Sequence, residues 1–272
     1  MNLGIFGKEI PLYGIFFWLG IFVAAFAAIF VCKKKALPLF DLTCSAVYAV
    51  IAAIIGAKLL YLIVSWKDIM YFAKENDLEF IEILPMLIKG GFVFYGGLIG
   101  GILGLLIYSK QFKMDFSLLM DIYAAVVPLG HAIGRVGCFF GGCCYGIPYD
   151  GPFCNVYEFS TGTAPVGVPL FPVQLAEALS LLILFALQMI LLFKYPQKKR
   201  ALVYNYAFIY SIIRFALEFL RGDAERGSLL FFSTSQWISI AICLVTLLCF
   251  YMEYRPISKE KKNVVNAKEK DN

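Results

Sequence analysis

"PLYGIFFWLGIFVAAFAAIFV", residues 11–31, carries no charged side chain, and Cys32 and three lysines, Lys33, Lys34 and Lys35, follow at once. A hydrocarbon layer of about 30 Å takes about 20 helical residues to cross, and within it every backbone N–H and C=O must be satisfied by the segment itself. The stretch predicts a membrane-spanning helix that ends in basic residues at a water interface. Apolar runs of similar length recur near 44–66, 86–108, 117–136, 173–193, 202–221 and 231–252. Together they predict an all-α integral membrane protein of seven transmembrane helices. Composition agrees: 61% of the 272 residues are hydrophobic and 16% charged, where a soluble domain carries roughly a quarter charged residues.

Lysine and arginine accumulate on the cytoplasmic side of a membrane, and acidic residues count for little. Lys33, Lys34 and Lys35 follow the first span, Lys110 and Lys113 the third, Lys194, Lys198, Lys199 and Arg200 the fifth, and Arg255, Lys259, Lys261, Lys262, Lys268 and Lys270 the seventh. The intervening connections are acidic or mixed, and residues 137–172 contain no lysine or arginine. This pattern predicts an N-terminus outside and a C-terminus inside. The outer segments 67–85 and 147–172 are expected to form a small irregular cap, with Pro148, Pro152, Pro165 and Pro169 breaking regular structure in the second. The first run is too long for the core of a signal peptide and has its basic cluster behind it, so it is expected to be retained. Residues 1–255 read as one membrane domain and 256–272 as a polar cytoplasmic tail. The net charge of +5 is then a topology signal and a weak attraction to anionic lipid, and no nucleic-acid partner is expected.

An ionisable side chain inside a span is costly and points to function. Lys58, Arg135, Arg214, Glu218 and Arg221 are such residues. In the orientation above, Arg135 lies at the outer end of the fourth span, and Arg214, Glu218 and Arg221 occupy the last two turns of the sixth. Spacings of four and three put the last three on one helical face, where Glu218 can neutralise either arginine. A structural ion pair with a snorkelling Arg221 explains the sixth-span residues as well as a binding site does. Three arginines against one glutamate, however, leave an excess of positive charge that suits a phosphate, and a phospholipid head group is the nearest such anion. Asp223 and Glu225, just beyond, would offset part of it.

Gly134 and Gly137 flank Arg135, and Gly141 and Gly142 follow two phenylalanines. Such glycines permit either a close approach to a ligand or tight helix packing. In "GGFVFYGGLIGGILG", residues 90–104, Gly97 and Gly101 have the small-xxx-small spacing, as do Gly96, Gly100 and Gly104. Packing explains that repeat. It does not explain Tyr95 before the double glycine at the outer entrance of the third span.

In chain order, "YGIFFWLG" (13–20), "FVFYGGLIGG" (92–101), "GRVGCFFGGCCYG" (134–146), "PVQLAEA" (172–178) and "RFALEFLRGD" (214–223) resemble the motifs of the prolipoprotein diacylglyceryl transferase family of bacterial inner membranes. The resemblance covers almost the whole chain and implies a reaction: the diacylglyceryl group of phosphatidylglycerol passes to the lipobox cysteine thiol of a preprolipoprotein, and glycerol phosphate leaves. It implies a multi-pass protein of the cytoplasmic membrane with its active site toward the outer leaflet, and membrane lipids, phosphatidylglycerol and the lipobox segment as partners. Arg135 and Arg214 match the family's two principal arginines. Glu218 would orient Arg214 and Arg221 would close the head-group site. Tyr13, Gly137, Cys138, Gln174 and Glu177 complete the expected substrate-binding set. The chain departs from the family where Tyr95 stands for a histidine, Cys138 for an asparagine, Cys143 for a glutamate and Phe171 for a second histidine. Tyr95 and His131, one turn before Arg135, are the remaining candidates for the acid–base part of the chemistry.

Cys138, Cys143, Cys144 and Cys154 fall in or beside the long outer connection. Disulfides, inert packing and, less simply, metal ligation with His131 all fit them. The spacing matches no common zinc pattern, so no metal and no other cofactor is expected. Two rival functions stand beside the transferase: a thiol oxidoreductase, which lacks a C-x-x-C pair here, and a lipid or anion transporter, in which Lys58 would gain importance. A related transferase with a changed donor or acceptor also fits the altered motifs.

Overall fold

The computed structural model describes residues 2–5, 8–35, 38–77, 79–160, 162–195, 199–223 and 228–254. The expected polar tail and Glu225 lie outside them. Eight helices dominate the described residues: α1 (Leu12–Lys35), α2 (Leu39–Glu75), α3 (Phe80–Lys89), α4 (Phe94–Phe112), α5 (Phe116–Gly141), α6 (Val173–Lys194), α7 (Ala201–Glu218) and α8 (Thr234–Tyr254). Three short antiparallel ribbons join them: β1 (Asn2–Ile5) with β2 (Lys8–Pro11), β3 (Asn155–Val156) with β4 (Pro169–Leu170), and β5 (Ser228–Leu229) with β6 (Phe232–Ser233). By length and composition, α1, α2, α5, α6 and α8 suffice to cross a membrane. Large apolar side chains stay exposed along them, including Phe22, Phe26, Ile63 and Leu179, as expected where lipid rather than water is the solvent.

Two differences from the sequence reading concern the second and third runs. The segment 67–85 is not irregular: α2 continues to Glu75, and α3 occupies Phe80–Lys89. The third run therefore yields two helices. Gly90 and Gly91 follow Lys89 and interrupt it, and α4 restarts at Phe94.

The chain divides into two compact units, Phe26–Tyr123 and the remainder, Met1–Ala25 with Ala124–Asn272. In the first, α2 packs along α4. A Cβ on Gly96 would meet Leu60 Cβ at 2.6 Å, and one on Gly104 would meet the Tyr48 carbonyl oxygen at 2.6 Å. A Cβ on Gly100 would run into the carbonyl of Ala52. Gly97 and Gly101 would instead find ordinary contacts at 3.5 and 3.7 Å. Of the two registers visible in the sequence, 96/100/104 is the seam, because only there do the backbones touch. Lys58 has a local task in this unit. Its ammonium donates to the carbonyls of Ile88 and Gly90, both at 3.0 Å, and lies over the rings of Tyr61 and Phe92. It satisfies carbonyls freed where α3 ends. Tyr108 donates to Asp41 at 2.7 Å, so the one acidic side chain in the first turn of α2 is also paired.

In the other unit α1 runs close to α5. A Cβ on Gly20 would meet the Gly130 carbonyl oxygen at 2.7 Å, and one on Gly137 would meet Phe16 Cβ at 2.7 Å. The rings of Phe16 and Phe140 stack beside that approach, 5.2 Å apart. After α5 the chain hooks back through Gly142 and Cys144, both left-handed at φ +64° and +56°. Residues 145–149 then run extended between two other segments. Gly222 N–H donates to Tyr145 C=O and Ile147 N–H to Leu220 C=O, while Phe171 N–H donates to Ile147 C=O and Tyr149 N–H to Pro169 C=O, each at 3.0 Å. Gly146 has to be glycine here, because a Cβ would strike the Phe171 carbonyl. This clamp ties the end of α5, the start of α6 and the end of α7 at one place.

Candidate active site

The clamp gathers residues that are far apart in the sequence. Val173 and Gln174 open α6, and Glu177 follows one turn later, 1% exposed. A buried carboxylate needs partners. Glu177 Oε1 accepts from Arg135 Nη2 at 3.0 Å and from the Tyr210 hydroxyl at 2.9 Å, and His131 Nε2 stands 3.9 Å away. The His131 ring lies edge-on to Tyr210, with centroids 5.2 Å apart. One carboxylate on α6 thus organises two residues of α5 and one of α7.

A second, largely buried pair stands on α7. Arg214 Nη2 is salt-bridged to Glu218 one turn on, and it also reaches the Ser235 hydroxyl at 3.3 Å. Ser233 donates to Glu218 Oε1 at 2.8 Å. Just past the helix, Arg221 forms a two-pronged pair with Asp223, Nε to Oδ1 and Nη2 to Oδ2, both 2.9 Å, and its Nε lies 3.9 Å from Glu218. The excess positive charge read from the sequence is therefore absent by count: Arg135, Arg214 and Arg221 each face their own carboxylate, Glu177, Glu218 and Asp223. What remains open is directional. Among the described residues, Arg135 Nε and Arg214 Nη1 are buried N–H donors without an acceptor. Such donors are costly in a dry site unless an anion arrives to use them.

The sequence-predicted residues divide by place. Arg135, His131, Gln174, Glu177, Arg214, Glu218 and Arg221 all belong to this unit, as do Tyr13, Gly137 and Cys138. Tyr13 is 45% exposed and lies against the last turns of α5, where a Cβ on Gly141 would touch it at 3.4 Å. Gln174 is buried and donates to the Cys143 carbonyl at 2.8 Å, so it supports the hook. Tyr95 heads α4 in the other unit, 38% exposed and edge-on to Phe94. The sequence reading missed Tyr210, Ser233, Ser235 and Tyr157. Tyr157 donates to the Phe139 carbonyl at 2.9 Å. Burial pushes its phenol up to about 12, so it remains a donor across the working pH range. For Tyr210 a signal did exist, since it lies one turn before Arg214 on the same face. The two serines gave none, because hydroxyls in an apolar run are common.

Arginines whose Nε or Nη1 donors are buried and open, set among membrane-length helices, define a multi-pass membrane protein with an internal polar cluster. A sequence profile of the prolipoprotein diacylglyceryl transferase family matches residues 2–252. The phosphatidylglycerol–prolipoprotein diacylglyceryl transferase 2 of Clostridium perfringens (strain 13 / Type A) is 35% identical over 248 residues, covering 90% of this chain and 92% of its own. The corresponding transferase of Clostridium tetani (strain Massachusetts / E88) is 34% identical over 251 residues, 92% and 95% of the two chains. That of Finegoldia magna (strain ATCC 29328 / DSM 20472 / WAL 2508) is 30% identical over 267 residues, 98% and 97%. This chain belongs to the prolipoprotein diacylglyceryl transferase family.

Proposed function

We infer that this chain transfers the diacylglyceryl group of phosphatidylglycerol to the cysteine thiol in the lipobox of a prolipoprotein. The acceptor sulfur attacks the glycerol carbon that carries the phosphodiester. The S–C bond forms, the C–O bond breaks, and its electron pair leaves on the phosphate oxygen of glycerol phosphate. The observation that carries this reading is the pair of orphaned buried donors, Arg135 Nε and Arg214 Nη1, in a chain that matches the family over residues 2–252. Donors held rigidly by Glu177 and Glu218 stabilise charge that develops on the departing phosphodiester without reorganising. The pairing of each arginine with a carboxylate keeps the empty site close to neutral.

In this proposal Arg135 and Arg214 receive the phosphodiester, and Glu177, Tyr210 and Glu218 hold them in place. Arg221 and Tyr13 border the head group, and Gly137 lets α1 approach closely enough to bring Tyr13 there. His131 takes the proton from the acceptor thiol. Gln174 and Cys138 support the acceptor side, and Tyr95 is assigned a catalytic part from its motif position alone. An apolar groove between α6 and α7, lined by Ser180, Ile183, Leu184, Leu187, Ile209 and Ile213, suits an acyl chain of the donor. Seven spans, α1, α2 and α4 to α8, with the N-terminus outside and the tail of residues 256–272 in the cytoplasm, follow from the basic connections. The site then faces the outer leaflet of the cytoplasmic membrane. The family match gives no support to the thiol-redox or transport readings. The test is transfer in proteoliposomes containing phosphatidylglycerol, read as a mass increase on a lipobox peptide. The cysteine peptide gains one diacylglyceryl group and the matching serine peptide gains none; an unmodified cysteine peptide beside folded protein overturns the reading.

A further inference from the structure

The hook that follows α5 does more than turn the chain. Cys138 lies in the last turns of α5, and Cys143 and Cys144 are brought back onto it: Cys143 N–H donates to the Cys138 carbonyl at 3.2 Å, and the Cys143 thiol points at the same oxygen at 3.7 Å. The three sulfur atoms all lie within 4.8 Å of one another. The convergence has a backbone cause. Cys144 adopts φ +56°, a left-handed conformation that a side-chain-bearing residue seldom holds without compensation. The hook is also braced from outside, by Gln174 on the Cys143 carbonyl and by Tyr157 on the Phe139 carbonyl. Arg221, held by Asp223, carries its positive charge beside this cluster, where it acts electrostatically on Cys144.

We propose that Cys138, Cys143 and Cys144 form a three-thiolate zinc site whose fourth position receives the acceptor cysteine of the prolipoprotein. Zinc–sulfur bonds of about 2.3 Å at tetrahedral angles set thiolates about 3.8 Å apart, so closure takes only a small contraction of the observed cluster. Three soft ligands select zinc or copper(I) over calcium or magnesium, and a fourth thiolate completes a tetrahedral set that zinc prefers. Three thiolates and a divalent ion leave one negative charge, which the neighbouring Arg221 guanidinium would offset. A site closed on three protein ligands keeps one position open, the arrangement of catalytic rather than structural zinc.

The inference rests on the transferase reading and supplies what its altered motifs lack. An ordinary thiol has a pKa near 8.5 and is mostly protonated at neutral pH. On binding the metal the acceptor S–H loses its proton, which passes to His131 and on to water. The metal-bound thiolate then forms the S–C bond as the C–O bond of the lipid breaks, its electron pair departs with glycerol phosphate, and the thioether, a weak ligand, dissociates. No electron is exchanged with the metal. The sequence pattern did not show this site because it resembles no common zinc spacing; the left-handed turn at Cys144 creates it.

The experiment uses the full-length protein, purified under reducing conditions and held in lipid nanodiscs. Zinc is counted by mass spectrometry and then replaced by cobalt(II), whose absorption reports thiolate coordination. One zinc per chain is expected, with thiolate-to-cobalt charge transfer and tetrahedral d–d bands. The bands should shift when a lipobox cysteine peptide is added and stay unchanged with the serine peptide. Cys143→Ser and Cys144→Ser should each lower metal content several-fold, while Cys154→Ser keeps it. Protein that transfers lipid yet holds no zinc or cobalt after supply overturns the site and leaves the transferase reading standing. So does metal retained in full by the Cys138→Ser, Cys143→Ser, Cys144→Ser triple variant, or a disulfide among the three that persists under the reducing conditions. A cobalt spectrum that answers the cysteine peptide without any lipid transfer supports the site and overturns the transferase reading.

Discussion

The α2–α4 pair and the α5–α6–α7 cluster solve the same difficulty in opposite ways. Helices in lipid gain little from burying apolar side chains against each other, so they associate through close packing or through polar groups. Along α2 and α4 the side chains are removed: Gly96, Gly100 and Gly104 let one backbone rest on the other. Among α5, α6 and α7 the contacts are ionic and hydrogen-bonded, with Glu177 taking Arg135 and Tyr210, and Glu218 taking Arg214. The glycine seam has nothing left to offer a ligand. The polar cluster retains open N–H donors, and that difference separates scaffold from the proposed site.

The contrast predicts different failures. Arg214→Ala should reduce transfer by about 10³-fold, because it removes a preorganised donor to the leaving phosphate; initial rates in proteoliposomes check it, with the folded state followed by thermal melting. The same truncation leaves buried Glu218 with only the more distant Arg221, 3.9 Å away, as a cation, so the melting midpoint should fall as well. Gly100→Leu should act on the other region, costing about 1–3 kcal/mol or more by forcing α2 from α4, whereas Gly101→Ala on the neighbouring face should stay within about 0.5 kcal/mol. Melting of the purified variants distinguishes the two registers, and equal losses would mean the seam is misassigned. Tyr210→Phe is the mildest change, removing one hydroxyl from Glu177. A hydrogen bond to a charged group is worth about 1.5 kcal/mol, so transfer should fall about tenfold with little change in melting.

How legible each region was in the sequence follows from the range of its interactions. The glycine repeat is local: a four-residue spacing on one helix announces a flat face, although choosing between the 96 and 97 registers took the partner backbone. Arg214 and Glu218 are equally local and were paired from their spacing. Arg135 and Glu177 are 42 residues apart by number, and no periodicity connects them. Reading each charge on its own helix therefore left a surplus of cations that Glu177 and Asp223 in fact remove. The third apolar run shows the reverse limit. Hydropathy does not register a helix break, and four residues, Gly90, Gly91, Phe92 and Val93, separate α3 from α4. The thiol cluster was the least legible, since it depends on the left-handed φ angles at Gly142 and Cys144.

The central claim is that an open, directed N–H, rather than positive charge as such, receives the phosphodiester. Arg135→Lys tests it most directly, because lysine keeps the cation for Glu177 and lacks the Nε donor and the planar fork. The measurement is kcat/KM for diacylglyceryl transfer to the lipobox peptide, wild type against Arg135→Lys, in proteoliposomes of equal phosphatidylglycerol content. A loss of about 100-fold in a variant that melts normally is the result expected. Activity within about threefold of wild type would contradict the account and assign the arginine's role to its charge alone.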